Sequence, residues 1–416
     1  MDKLLIKGGR KLGGELEISC AKNAYLPILA GAILCKGEVV LHNCPRYDDV
    51  LNMIEILKNL GGKAYFQEKT LVLDMRTLNN FEIPSRLSSL TRSSIFSLGS
   101  IIGRFKRAKV AYPGGCEIGA RPINLHIKGL EALNVSVVDR RGYLTCDGTN
   151  LKGGIVHLDF PSVGATENIM LASVLAEGKT IIYNSAKEPE ILDLQNFLNK
   201  AGAKIRGAGT STIIIEGVKE LGGVEYTPIP DRIIAGTYAI ATAMCGGDVL
   251  LKNVKPSHFR ALISKINNNS CKIGVKSDRI RIVAKDKPKS VEKIETMPFP
   301  GFPTDLQPQI MAMLAISEGT SVIVENLFET RFKHVGELVK MNANIITEGR
   351  TAIIKGVPKL YGAEVVATDL RGGAGLVLAG LVADGYTTIS NISQITRGYE
   401  GIETDLNLLG ADIERK

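Results

Sequence analysis

One pattern recurs along the chain and limits the fold more than any other feature. A stretch of small and apolar residues meets a Gly, and the β-branched run that follows ends at Asn. The clear copies are ILAGAILCKGEVVLHN (28–43), NIMLASVLAEGKTIIYN (168–184), IAGTYAIATAMCGGDVLLKN (234–253), IMAMLAISEGTSVIVEN (310–326) and LVLAGLVADGYTTISN (376–391). A weaker one is SIFSLGSIIGRFKRAKVAYPG (94–114). The small-residue stretch reads as a helix, the Gly as its C-cap, and the Val/Ile/Thr run as a strand. A second helix-to-strand signature follows each copy, as in LKNLGGKA (57–64), LNKAGAKI (198–205) and LNLLGADI (407–414). Another strand comes after it, as in TSTIIIEG (210–217) and RTAIIKGV (350–357). Between glycines 37, 103, 178, 247, 319 and 385 the steps are 66, 75, 69, 72 and 66 residues. Six units of about 70 residues account for the whole sequence.

The ends of the chain add a topological expectation. The last unit stops at GADIERK without a closing strand, while LLIKGGRKLGGELEI (4–18) matches AIIKGVPKLYGAEVV (352–366) and IIIEGVKELGGVEY (213–226). The N-terminal strand is therefore expected to complete the sixth unit. Two domains of three units each follow, one over 21–229 and one over 1–20 plus 230–416. Two chain crossings between them, at Ser19-Cys20 and 226–230, would make a hinge, with the ligand expected in the cleft.

Composition excludes several classes. Hydrophobic residues are 44% and charged residues 23% of 416, ordinary globular values that argue against a disordered tail or a coiled coil. Apolar runs such as Ile28 to Cys35 are far shorter than the ~18 residues that span a bilayer. The start, Met1-Asp2-Lys3, lacks a signal-peptide core, so the expected place is the cytoplasm, with no membrane partner. Seven cysteines without CxxC spacing or a nearby His cluster suggest neither a disulfide framework nor a metal site. The net charge of +8 suits anionic partners, although a solvated basic surface is the plainer reading of composition alone. No Trp and no basic run interleaved with aromatics leave nucleic-acid binding without support.

Charged and polar residues stand at the same place in every unit, where a strand enters the first helix. They are Lys22-Asn23, Thr91-Arg92-Ser93, Ser162 to Thr166, Asp231-Arg232, Thr304-Asp305 and Thr368-Asp369 with Arg371. Ser, Thr and Asp there are natural N-caps, which is the plain reading of Thr304 and Asp369. Capping does not explain Lys22, Arg92, Arg232 and Arg371, because a cation opposes the positive end of a helix dipole. An anion bound at those helix starts would reconcile the two, and so would an outward-pointing side chain. His126, His258 and His334 show no base–nucleophile spacing. Glu188 and Glu190 read as a turn or cap. The run Ser162-Val163-Gly164 lacks the Gly-Lys-Ser/Thr of a phosphate loop.

PGGCEIGARP (113–122) interrupts the second unit with three glycines in ten residues, a loop pattern. Most cysteines are inert core residues. Cys116 differs, because it lies on this loop five residues from Arg121. A nearby guanidinium raises thiolate content and hence reactivity.

PGGCEIGARP, AKNAYLPILA, PSVGATEN, AKEPEI, PDRI, GFPTDLQPQ, TRFKHVGEL, TDLR and TRGYEGIE, in that order over essentially the whole chain, resemble the UDP-N-acetylglucosamine 1-carboxyvinyltransferases, the enolpyruvyl transferases of peptidoglycan synthesis. The resemblance implies an α/β fold, a two-domain inside-out α/β barrel of six βαβαββ repeats, three per domain. It implies transfer of the enolpyruvyl group of phosphoenolpyruvate to the 3′-hydroxyl of UDP-N-acetylglucosamine with release of phosphate, the first committed step of that pathway. By the same resemblance Cys116 is the acid, able to form a thioketal adduct with phosphoenolpyruvate and to react with fosfomycin, and Asp305 is the base. Lys22, Asn23, Arg121, Arg331, Arg371 and Arg397 would bind phosphoenolpyruvate, with Lys22, Arg121 and Arg397 on the phosphate and Arg331 and Arg371 on the carboxylate. Asn23, Arg92, Arg121, Pro122, Ile123, Asn124, Leu125, Ser162, Val163, Gly164, Asp305 and Leu327 would contact the nucleotide sugar. No metal or organic cofactor is implied, and the oligomeric state stays open.

The sequence departs from the family pattern at four places. Asn124 stands where an Asp usually meets the uracil, and an amide oxygen can accept from N3–H without charge assistance. Thr330 and Lys333 replace the usual Asn and Met around Arg331, and Ile234 replaces a Glu. Two alternatives accompany the main reading: a relative of 5-enolpyruvylshikimate-3-phosphate synthase with shikimate 3-phosphate as acceptor, and a non-catalytic basic repeat scaffold. The PGGC loop and the uridine-side run favour the first reading over both.

Overall fold

Each repeat is built around one small mixed sheet and one buried helix in the computed structural model, which describes residues 2–114, 118–119, 122–267 and 270–416. The sheet of the third repeat shows the plan. Strand Ile155–His157 runs parallel to Lys179–Tyr183, with Ile155 opposite Ile181. Lys179–Tyr183 is antiparallel to Thr212–Glu216, which is antiparallel to Lys204–Arg206. Among the described residues the strands form six such four-stranded sheets. The helix after the first strand is the crossover between the two parallel strands. These helices are α1 (Lys22–Ala32), α2 (Phe96–Phe105), α3 (Val163–Ser173), α4 (Arg232–Cys245), α5 (Gln307–Ala315) and α6 (Leu370–Val382).

The described residues group into two compact units. The terminal unit comprises 2–19, 118–119, 230–267 and 270–416, and the middle unit comprises 20–114 and 122–229. In the middle unit α1, α2 and α3 pack on one another, and in the terminal unit α4, α5 and α6 do the same. Every residue of α1 but Asn23 is buried, and every residue of α6 but Val382. A helix with no polar face belongs at a centre, with the sheets outside it, which is the inside-out arrangement. Small residues allow that close packing. A Cβ on Gly99 of α2 would lie 2.1 Å from the Asn168 carbonyl oxygen on α3, so no side chain fits there. Among the described residues no helix is long and apolar enough to cross a membrane.

Three strands come from distant parts of the chain. Leu4–Lys7 lies between Tyr386–Ser390 and Ile413–Arg415, antiparallel to both. Leu12–Glu17 pairs in parallel with Gly247–Lys252, and Val224–Tyr226 with Glu38–Leu41. The helix joining the parallel strands is therefore not a local crossover in those last two sheets.

The glycines expected as helix C-caps mostly do other work. Gly103 lies inside α2, which ends on left-handed Lys106 (φ 58°). Helices α3, α5 and α6 end several residues before Gly178, Gly319 and Gly385. These glycines have φ of 89°, 108° and 92° and turn the chain into the following strand. The fourth copy is capped by Gly246 rather than Gly247. The strand-ending asparagines also have a definite job. Asn184, Asn253 and Asn391 are left-handed, a conformation Asn tolerates. Their amides donate to Leu158 O (2.7 Å), Ile18 O (2.7 Å) and Ala367 O (2.9 Å). Those carbonyls lie where a strand enters a core helix, so the repeated Asn pins the junctions that carry the charged residues.

Candidate active site

Within the middle unit, Lys22 opens α1 and is buried, with its Nζ 3.0 Å from Asp49 Oδ2. Asp49 is itself buried in the first turn of helix Asp48–Asn59. The cation at this helix start is thus balanced by a protein carboxylate, a partner the sequence pattern did not indicate. Asn23 follows Lys22 and is half-buried. Arg92 begins a 3₁₀ turn in which Thr91 Oγ1 accepts from Ser93 N–H.

Ser162 caps α3, its Oγ accepting from Ala165 N–H at 3.4 Å. Gly164 sits against the ring of His126: a Cβ there would lie 3.3 Å from His126 Cε1 and 3.0 Å from Phe96 Cε1. His126 belongs to helix Asn124–Glu131, and its Nδ1 accepts from Asn168 Nδ2 on α3 at 3.1 Å. His126 therefore holds Pro122, Ile123, Asn124 and Leu125 beside Ser162, Val163 and Gly164. Both runs are at least partly exposed. Their nearness joins two segments that the sequence nominated separately. Beneath them Glu167 is buried, and neither carboxylate oxygen has a hydrogen-bond partner among the described residues. Burial, then the nearby Glu190 and Glu188, push its pKa well above the ordinary carboxyl range.

Within the terminal unit, Asp305 lies on the 3₁₀ turn Thr304–Leu306 that leads into α5. Arg331 reaches it from the other side. Its Nη2 donates to Asp305 Oδ1 at 3.2 Å and to Thr304 O at 3.0 Å, and its Nη1 is 3.7 Å from Asp369 Oδ1. Arg371 Nε is 3.5 Å from the same Asp305 oxygen. Asp369 caps α6 through Arg371 and Gly372 N–H (3.0 and 3.1 Å). Two buried arginines and two aspartates form one network, so the cations near the start of α6 also have protein counter-charges. Burial works against the Arg371 charge, but Asp305 and Tyr399 beside it hold its pKa above the ordinary value. Its Nη1 has no partner among the described residues and is a donor available to an anion.

His334 completes this cluster. It is fully buried, and its Nδ1 donates to Arg331 O at 3.2 Å. Burial brings its pKa from 6.5 down to about 4, so it is neutral beside Arg331. Thr304 is not the N-cap expected of it. Its hydroxyl donates to Glu325 Oε2 (3.0 Å), and Glu325 Oε1 accepts from Thr296 Oγ1 (2.8 Å) and Leu327 N–H (2.9 Å). The buried Glu325 thereby fixes both the turn with Asp305 and the position of Leu327. Arg397, half-buried, ends the short helix Ser393–Thr396. Cys116 and Arg121 lie outside the described residues.

Asp49 and Glu325 escaped the sequence reading, and His334 was weighed there only as a base and set aside. Glu325 stands in a repeat position, just before the strand-ending Asn326, where the other clear copies carry His42, Tyr183, Lys252 and Ser390 and none has a carboxylate. That departure was the available signal.

Each unit, taken by itself, thus carries buried cations with carboxylate partners near helix starts, Lys22 with Asp49 in one and Arg331 and Arg371 with Asp305 and Asp369 in the other. Comparison with known proteins agrees in kind. The family model described as EPSP synthase (3-phosphoshikimate 1-carboxyvinyltransferase) matches residues 6–406. A UDP-N-acetylglucosamine 1-carboxyvinyltransferase 2 of Caldanaerobacter subterraneus subsp. tengcongensis is 53% identical over 415 residues, covering 100% of each chain. Another relative of that name, from Carboxydothermus hydrogenoformans, is 50% identical over 416 residues, covering 100% of this chain and 99% of its own. Among solved structures, the enolpyruvyl transferase NikO from Streptomyces tendae superposes with a TM-score of 0.88 at 24% identity, covering 100% of this chain and 99% of that one. An EPSP synthase from Acinetobacter baumannii gives 0.75 at 18%, covering 100% of both. The two structures speak to the fold.

Proposed function

The chain belongs to the EPSP synthase (3-phosphoshikimate 1-carboxyvinyltransferase) family, and from that premise we propose that it transfers the enolpyruvyl group of phosphoenolpyruvate to the 3′-hydroxyl of UDP-N-acetylglucosamine. The observation that carries the choice of acceptor is the full-length 53% identity to a relative of that name. Its setting is peptidoglycan synthesis in the cytoplasm.

The chemistry is addition followed by elimination. A proton added at C3 of phosphoenolpyruvate makes C2 electrophilic. The sugar oxygen bonds to C2 and gives up its proton, forming a tetrahedral ketal. Loss of a C3 proton and cleavage of the C2–O bond then release phosphate and leave the enol ether. Cys116 is assigned the acid and Asp305 the base. Asp305 suits that task because Arg331 and Arg371 fix its Oδ1 while the side chain keeps partial exposure. Lys22, Arg121 and Arg397 take the phosphate, and Arg371 the carboxylate, with its unpartnered Nη1 as donor. The two terminal nitrogens of Arg331 face Thr304, Asp305 and Asp369 while its Nε has no partner among the described residues, so its contribution runs through holding Asp305 as well as through charge. The runs Pro122–Leu125 and Ser162–Gly164, gathered by His126, take the nucleotide sugar with Asn23, Arg92 and Leu327.

The assay is phosphate release from phosphoenolpyruvate with each acceptor in turn. UDP-N-acetylglucosamine is expected to trigger release and shikimate 3-phosphate is not. Release with shikimate 3-phosphate alone would overturn the assignment.

A further inference from the structure

The buried polar groups of the terminal unit converge on Tyr399. The residue is 2% exposed, and its ring lies 5.8 Å from Arg371 Cζ, centroid to carbon. Its hydroxyl is 2.8 Å from Thr237 Oγ1 on α4 and 3.4 Å from Gln309 Nε2 on α5. The Thr237 hydroxyl donates to Ile233 O at 2.9 Å, so it must accept from Tyr399. It also accepts from Gln309 Nε2 at 3.1 Å. The directions are thereby settled: Tyr399 O–H donates to Thr237 and accepts from Gln309. One side chain touches all three core helices of its unit, because Arg371 belongs to α6.

Tyr399 also stands two residues after Arg397. The N–H groups of Gly398 and Tyr399 both donate to Ile395 O at 3.1 Å, which closes the turn that carries Arg397. A Cβ on Gly398 would meet Leu370 Cδ2 at 2.8 Å, so this turn is seated directly on the start of α6. The anchor for that seat is the Tyr399 hydroxyl, held between α4 and α5.

We propose that Tyr399 is a positioning residue for the anion-binding arginines: its ring supports the guanidinium of Arg371, and its anchored hydroxyl sets where Arg397 stands. This rests on the functional reading above, in which those two arginines take the carboxylate and phosphate of phosphoenolpyruvate. An aromatic face attracts a guanidinium electrostatically, more so when water is excluded. A hydroxyl with all its partners inside the fold holds the turn in place before substrate arrives, so less ordering is needed on binding.

The test is a kinetic comparison of wild type, Tyr399→Leu and Tyr399→Phe, varying each substrate with the other saturating. Tyr399→Leu should raise KM for phosphoenolpyruvate about tenfold and leave KM for UDP-N-acetylglucosamine within about twofold. Tyr399→Phe restores the ring and should recover all but about threefold of that loss. If Tyr399→Leu does not fold, Tyr399→Phe and Thr237→Val, which free the hydroxyl end alone, should each still show the threefold rise. Both KM values rising together, or a lowered melting temperature with neither KM changed, would overturn the proposal. Calorimetric titration with phosphoenolpyruvate alone separates this proposal from the choice of acceptor. Equal affinities in wild type and variants overturn the role of Tyr399 whatever the turnover. A wild type that binds no phosphoenolpyruvate overturns both readings.

Discussion

Replacing His334 with Gln should flatten the acid side of the protein's stability profile. The imidazole is fully buried next to Arg331, and its pKa falls from 6.5 to about 4. Its folded value is depressed, so between those limits the unfolded chain holds more protons than the folded one. Stability from this group is complete above the unfolded value and is lost as pH falls. A drop of that size corresponds to about 3 kcal/mol in all, with roughly 2 kcal/mol gone by about pH 5. For a unit of this size each kcal/mol moves Tm by about 2–4 °C, so wild type should lose roughly 4–8 °C more than His334→Gln between about pH 7.5 and pH 5. The amide of Gln can still donate to Arg331 O, and any fixed cost of the substitution cancels because only the change with pH is compared. Carboxylates elsewhere titrate alike in both proteins. The assay is thermal unfolding across that range. Parallel curves would refute the argument and would mean that His334 is protonated in the fold, paired with Asp369.

Asp305→Asn keeps size and an acceptor but removes the base, so kcat should fall about 10²–10⁴-fold with little change in KM for the nucleotide sugar; near-normal turnover would remove Asp305 from the chemistry. Fosfomycin should modify Cys116 and spare the other cysteines, which peptide mass mapping will show. The contrast has a structural basis, since burial pushes Cys35, Cys146 and Cys245 up to about 12 and Cys271 to about 11, far from thiolate. Glu167→Gln should raise Tm near neutral pH, and the gain should shrink as pH approaches 4.5, because a carboxyl whose folded pKa is raised loses stability as pH rises. A variant less stable than wild type at about pH 8 would show that the charged form of Glu167 has a stabilising partner.

The six-fold repeat was readable in the sequence because it is local chemistry written six times. Small apolar residues over three turns make a helix that can be buried all round, and β-branched runs make the strands beside it. The resemblance in PGGCEIGARP, TDLR and TRGYEGIE likewise named the family, since such strings carry the side chains themselves. Charges at the helix starts were visible as a pattern, but their partners were not. Lys22 meets Asp49 only because α1 packs on helix Asp48–Asn59. Arg331 meets Asp305 and Asp369 across three elements, and Tyr399 joins residues up to 162 positions away in the chain. The glycines were misread as helix caps for a related reason: a Gly marks a demand on φ or on space, and the surrounding backbone decides which demand it is. Sequence fixes what each segment can form and which groups it carries. Tertiary packing decides which charges are dehydrated together, and dehydration is what turns a row of cations at helix starts into a buried network with chosen counter-ions.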